Sequence, residues 1–248
     1  VIGWLLGIAL AGTPELALAD VRTELADDAW MNWSTMRIEV AGSATDPKLA
    51  HDNRPLEQQA IAAVDARIGS VVGALPVRGR SILGDLVPGV EGTVKLTWTV
   101  GEGRYFRDGH VEVVGVVEVL PLLASWSRGR ATKPPPATLG GKTGLVLDAR
   151  GLEVAPVFAP RVVSPGGAVL YDSVLSSDAA FEQAPVVWVS DPAHPAAVRA
   201  GTEPLLLAVD NAYGGDLVLS EAAAGRVARA FDQSRVLGDG TVVVVIDP

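Results

Sequence analysis

The chain has 248 residues, a net charge of −9 and a pI near 4.8, a balance that argues against nucleic acid or an anionic membrane surface as its main partner. Hydrophobic residues make up 48% and charged residues 20%, with 27 Gly and 17 Pro, so the sequence encodes a turn-rich globular protein with a substantial core. It contains no cysteine, which removes disulfides, a thiol nucleophile, thiolate metal sites and a lipid-modified Cys within these residues, and leaves membrane attachment to partners.

Val1–Ala19 reads as a signal peptide. An uncharged apolar run from Val1 to Gly12 meets Pro14 and ends in Ala17-Leu18-Ala19, the small-x-small pattern that a signal peptidase cuts, here between Ala19 and Asp20. Trp4, Leu5, Leu6, Ile8 and Leu10 leave no polar helical face, and the run is shorter than the about 20 apolar residues of a membrane span. The usual basic opening is absent, the first basic residue being Arg22. The expected address is periplasmic or otherwise exported.

Asp20 to Asp28 is acidic and polar, and is expected as an exposed lead-in. Met36-Arg-Ile-Glu-Val40 alternates apolar and charged residues, predicting a strand that Gly42 ends. Leu56, Ala60, Ile61, Val64, Ile68 and Val72 make one helical stripe, with Asn53 as N-cap, Pro55 in the first turn and Gly73 as stop. Val94, Leu96, Trp98 and Val100 alternate with polar residues, and a turn-rich stretch from Gly101 to Gly109 leads into Val111–Leu120. Those two runs predict an antiparallel hairpin, with Gly115 as a bulge. A helix on a small antiparallel sheet buries both apolar faces.

Residues 125–141 are basic, Pro-rich and poor in apolar side chains, which predicts an extended linker. Beyond it, short strand candidates begin at Leu145, Val157, Ala168, Val186 and Leu205. Ser220 caps a predicted helix that turns Ala224, Val227, Ala228 and Phe231 inward. The closing run from Thr241 to Ile246 is the kind found in a strand covered on both faces. The expected fold class is α+β: a signal peptide (1–19), a helix packed on a small antiparallel sheet (20–124), a Pro-rich linker (125–141) and a second strand-rich α+β domain (142–248).

Candidate chemistry is sparse. Gly140-Gly-Lys-Thr143 matches the tail of a phosphate loop, but Pro136 stands where the first Gly belongs, and no nucleotide binding is expected. His51, His110 and His194 lie far apart with no HExxH spacing, so no metal site is expected. There is no GxSxG elbow and no SxxK. Asp148-Ala-Arg-Gly-Leu152 puts a charged pair at a strand end, either a surface site or an Asp148–Arg150 brace across a turn. Trp30 and Trp33, around Met31-Asn32, either stack on a sugar or partner or pack on the core. Trp33, Asp148 and Arg150 are the candidate interaction residues; no catalytic, cofactor-binding or metal-binding residue is assigned, and no cofactor.

Asn32-Trp-Ser-Thr-Met-Arg-Ile-Glu-Val-Ala-Gly42, an Ala-rich helix ending near Ile68 and a hairpin ending at Leu122 together resemble the N-terminal domain of flagellar assembly protein T and its related outer-membrane surface lipoproteins. The second half, from Gly144-Leu-Val-Leu-Asp-Ala-Arg-Gly-Leu152 through Tyr171 and Glu203-Pro-Leu-Leu-Leu-Ala-Val209, is similar to the C-terminal parts of longer exported members. The chain departs from the lipoproteins in lacking Cys at the cleavage point. The resemblance implies a non-enzymatic bacterial envelope protein with a structural or assembly role, flagellum- or outer-membrane-associated, whose partners are envelope or flagellar-basal-body proteins. It supplies no catalytic residue. The alternative is an exported hydrolase acting on cell-wall or polysaccharide substrates through Asp and Glu.

Overall fold

The acidic stretch after Ala19 is not merely a lead-in. In the computed structural model, which describes residues 18–49, 52–90, 98–122, 142–176, 180, 184–231 and 241–247, it contains edge strand β1 (Arg22–Ala26), whose side chains are half-buried at most. β1 pairs with β2 (Ala29–Asn32), and β2 with β3 (Arg37–Thr45). Helix α1 (Arg54–Gly73) follows, then a small hairpin of β4 (Pro76–Arg78) and β5 (Ser81–Ile82), and the short α2 (Leu83–Leu86). β6 (Thr99–Tyr105) and β7 (His110–Glu118) form an antiparallel hairpin, but β6 takes in residues 101–105, expected as part of the turn, and the pair completes a sheet of order β1-β2-β3-β7-β6. Of the predicted strand at 94–100, residues 94–97 lie outside the described ones.

Helix α1 buries the stripe read from its sequence: Leu56, Ala60, Val64, Ile68 and Val72 are fully enclosed, and Ile61 is half-buried. Each such large side chain contributes about 1.5–3 kcal/mol of burial. Two glycines let the helix come this close. A Cβ on Gly42 would lie 2.5 Å from the Ala60 carbonyl and 2.7 Å from Val64 Cγ2, and one on Gly115 would collide with Val64 Cγ1. Gly42 therefore does not end β3, which runs three residues further; it is the seat of the helix. Gly115 likewise is not a bulge, and the register shift lies in β6 between Val100 and Gly103. Asn53 stands at the N-cap of α1 without a side-chain cap bond.

In the second half, four short apolar runs make a parallel sheet: β8 (Leu145–Asp148), β11 (Val186–Val189), β12 (Leu205–Ala208) and β15 (Val242–Val245), in the order β11-β15-β8-β12. β15 is central and buried at all four positions, as its unbroken valines require. A second, mixed sheet takes β9 (Arg161–Val163), β10 (Val169–Asp172), β13 (Asn211–Tyr213) and β14 (Asp216–Val218) in the order β10-β9-β14-β13. Helix α3 (Glu221–Phe231) is capped by Ser220, whose Oγ accepts from Ala223 N at 3.2 Å. It buries Ala223, Ala224, Val227 and Phe231; Ala228, expected inward, is exposed, because Ala223 takes that flank of the stripe. The whole is α+β: a helix on an antiparallel sheet, then a more strand-rich α+β unit.

The halves interlock. Phe158 N and Ala159 N donate to the carbonyls of Pro76 and Val77 at 2.9 Å, and Gly79 N to that of Gly214 at 2.7 Å. The Arg78 guanidinium spans the same junction, donating to Ala159 O at 2.6 Å and to both oxygens of Asp172 at 2.5 and 3.3 Å. One continuous buried cluster draws on both sides, with Val77 and Leu83 joined to Val157 and Leu217. The Pro-rich segment 125–141 lies outside the described residues.

Candidate functional site

Four aspartates follow the four parallel strands: Asp148 ends β8, Asp191 lies two residues past β11, Asp210 two past β12 and Asp247 two past β15. The strands are in register, so this is one end of the sheet, the carboxyl end, where open parallel sheets take ligands. Asp148 is a brace. Its Oδ1 accepts from Arg150 N at 3.2 Å and from Nε at 2.8 Å, and its Oδ2 from Nη2 at 2.5 Å. The guanidinium's hydrogen bonds hold the Asp148 carboxyl below the usual carboxylate range, and the same bonds, helped by the charges of Asp191 and Asp247, raise Arg150. Asp247 Oδ2 accepts from Gly151 N at 2.7 Å, and Asp191 Oδ1 from Ala193 N at 2.7 Å. Three carboxylates thus shape turns around one arginine.

The other sequence candidates scatter. Trp33, a candidate for surface interaction, is fully buried and gives its Nε1–H to Thr23 Oγ1 at 2.8 Å, which corrects that expectation. It lies beyond the end of β2 and turns into the core, whereas Trp30, on the outward face of β2, remains half-exposed. Asp20 is clasped: its Oδ1 meets His194 Nε2 at 2.9 Å and its Oδ2 accepts from Asn32 Nδ2 at 2.8 Å. The Ala19 carbonyl accepts from Ser190 Oγ at 2.5 Å. His194 is buried, and its Nδ1 accepts from Ala196 N at 3.1 Å, so both ring nitrogens are occupied and neither faces a serine.

His110 bonds Thr45 Oγ1 through Nδ1 at 2.7 Å and Glu112 through Nε2 at 3.1 Å; His51 lies outside the described residues. Of the GGKT segment, Gly140 and Gly141 also lie outside them. The hydroxyl of Thr143 is spent on Ala200 O at 2.8 Å and Glu203 N at 2.9 Å. No group of three or more His, Asp or Glu among the described residues is placed to hold a metal ion, and no helix among them is long and apolar enough to cross a membrane.

A second surface was missed from sequence. The face of the antiparallel sheet opposite α1 carries a groove of about 900 Å³. Trp30, Ala41, Val114 and Val116, all half-buried, form its floor, and Asp28 and Glu102 stand on its rims. Period two puts Ala41 and Val114 on this face, because Gly42 and Val113 face the helix. The signal available in the sequence was Val114 and Val116, the apolar residues left over once the inward set of β7 is assigned.

Residues 144–248 match a family model described as the second domain of Treponema pallidum Tp0624. The matched stretch runs from β8 to the end of β15 and includes the aspartate-lined sheet end. No curated protein matches the chain.

Proposed function

We propose that this chain is a non-enzymatic, exported bacterial envelope protein with a structural or assembly role, flagellum- or outer-membrane-associated. The observation that carries the reading is the state of its carboxylates at the parallel-sheet end. Asp148, Asp191 and Asp247 are engaged as acceptors that build turns. A glycosidic general acid needs a carboxyl that keeps its proton near neutral pH, whereas Asp148 is held ionised by Arg150. The strand–helix–hairpin order of β3, α1 and β6–β7 agrees with the likeness to flagellar assembly protein T over residues 20–124. The match of the second half to a domain of a Treponema protein favours a bacterial setting. Cleavage after Ala19 would leave Asp20 as first residue and keep the side chain that holds His194 and Asn32.

The test is catalytic. Purified chain incubated with insoluble cell wall and with soluble glycans releases no reducing ends above the buffer blank. Release that disappears on Asp148→Asn or Glu102→Gln would establish the hydrolase instead.

A further inference from the structure

We infer that the groove on the outer face of the five-stranded sheet is a docking site for an extended, basic segment of a partner protein, with two Lys or Arg side chains four residues apart. It deepens the assembly reading, on which it rests for the source of the segment.

The argument starts from register. The Asp28 carbonyl accepts from Ala41 N at 2.8 Å, Ala41 is paired with Val114, and Val114 lies opposite the extra residues of β6, because Val100 pairs with Gly115 and Gly103 with Val113. Asp28, Ala41, Val114 and Glu102 therefore stand in one row across the sheet, an acid at each end and small apolar side chains between. The row crosses three strand spacings, about 14 Å at about 4.8 Å each. An extended chain rising about 3.4 Å per residue covers that distance in about four residues, and its period of two turns both ends and the middle residue toward the sheet.

Charge selects the occupant. Two arginines, Arg22 and Arg104, line the groove beside four acids, Asp28, Glu39, Glu102 and Glu112; Arg22 is paired with Glu39, and Glu112 bonds His110. Among the described residues no cation is paired with Asp28 or Glu102, and the four acids of the lining outnumber its two arginines, so the groove keeps a net negative charge on a chain that is itself acidic. Trp30, one row away, offers an aromatic face to a guanidinium or to the stem of a lysine. All seven residues of β6 are exposed, so the segment can enter over that edge.

The experiment is a fluorescence-anisotropy titration of the full chain into a labelled extended peptide with lysines four residues apart and Ala or Val between. A peptide with glutamates at the same two positions is the comparison. The lysine peptide is expected to bind saturably and to weaken as salt is raised, while the glutamate peptide does not bind. The double substitution Asp28→Asn, Glu102→Gln is expected to weaken binding by about threefold to tenfold, the effect of removing two exposed charge pairs. Asn tolerates the left-handed backbone of Asp28, φ 55°, so the variant keeps its fold. Equal binding of both peptides, unchanged affinity in the double variant, or displacement of the lysine peptide by a soluble neutral glycan would overturn the proposal. Loss of peptide binding with capture of envelope partners intact would remove this groove and leave the assembly reading; binding of the peptide by a chain that cleaves glycans would do the reverse.

Discussion

Tyr171 shows how one side chain ties a loop to the mixed sheet. It is buried on β10, gives its hydroxyl hydrogen to the Pro185 carbonyl at 2.9 Å, and lies 3.2 Å from Ser176 Oγ. Burial pushes its phenol well above the ordinary value, and the Ser176 bond offsets only part of that. The folded protein therefore resists losing this proton more than the unfolded chain does. Its contribution is complete below the unfolded pKa of about 10 and falls above it by up to about 1.4 kcal/mol per pH unit. Denaturant midpoints measured across that range should decline in the parent and decline less in Tyr171→Phe, which should cost about 1 kcal/mol near neutral pH for the lost hydrogen bond. Equal declines in the two proteins would remove Tyr171 from the alkaline response. Asp148 behaves oppositely: its lowered carboxyl stabilises above its unfolded pKa of about 3.9 and ceases to as pH falls. The pair is some two-fifths exposed on each side, so the loss is under about 1 kcal/mol.

Helix packing and helix propensity give two substitutions of opposite sign. Gly42→Ala places a methyl against the Ala60 carbonyl and should cost at least about 1–3 kcal/mol by urea denaturation. Gly225→Ala, on α3, meets only the flexible end of Arg229 at 3.3 Å and should stabilise by up to about 1 kcal/mol through helix propensity. Stability unchanged in Gly42→Ala would mean the helix does not seat there. Elements with a strong local period were legible: the α1 stripe, β7, and the apolar runs of β8, β11, β12 and β15; most of β6 was read as turn, because Gly101, Gly103 and its charged residues carry no apolar period. What those runs pair with was not, because parallel pairing joins Leu145 to Val242 and Leu205, partners that no local pattern connects. β1 was missed because its charged residues form a strand only through β2. The choice between Trp30 and Trp33 also depended on where β2 ends. The aspartate end of the parallel sheet did leave a trace, since Leu147, Val209 and Ile246 each directly precede an Asp.

On the scale of the molecule, the Pro-rich composition of 125–141 and the interlocked halves make a joint prediction. Brief trypsin treatment should cut at Arg128 or Arg130 before either half is degraded, while the Lys133–Pro134 bond resists the enzyme. The two fragments should then elute together in gel filtration, held by the shared cluster and by Arg78 on Asp172. Resistance throughout that segment would mean that it is not a linker, and separate elution would mean that the junction at Pro76 to Gly79 is weak. The central claim, an envelope protein that works by binding, is tested most directly by affinity capture of the tagged chain from crosslinked envelopes of its native host. The account predicts recovery of a defined envelope or flagellar-basal-body component, in amounts comparable to the bait and absent from an untagged control. Recovery of no such component, with the captured chain cleaving glycan in the same preparation, would contradict it.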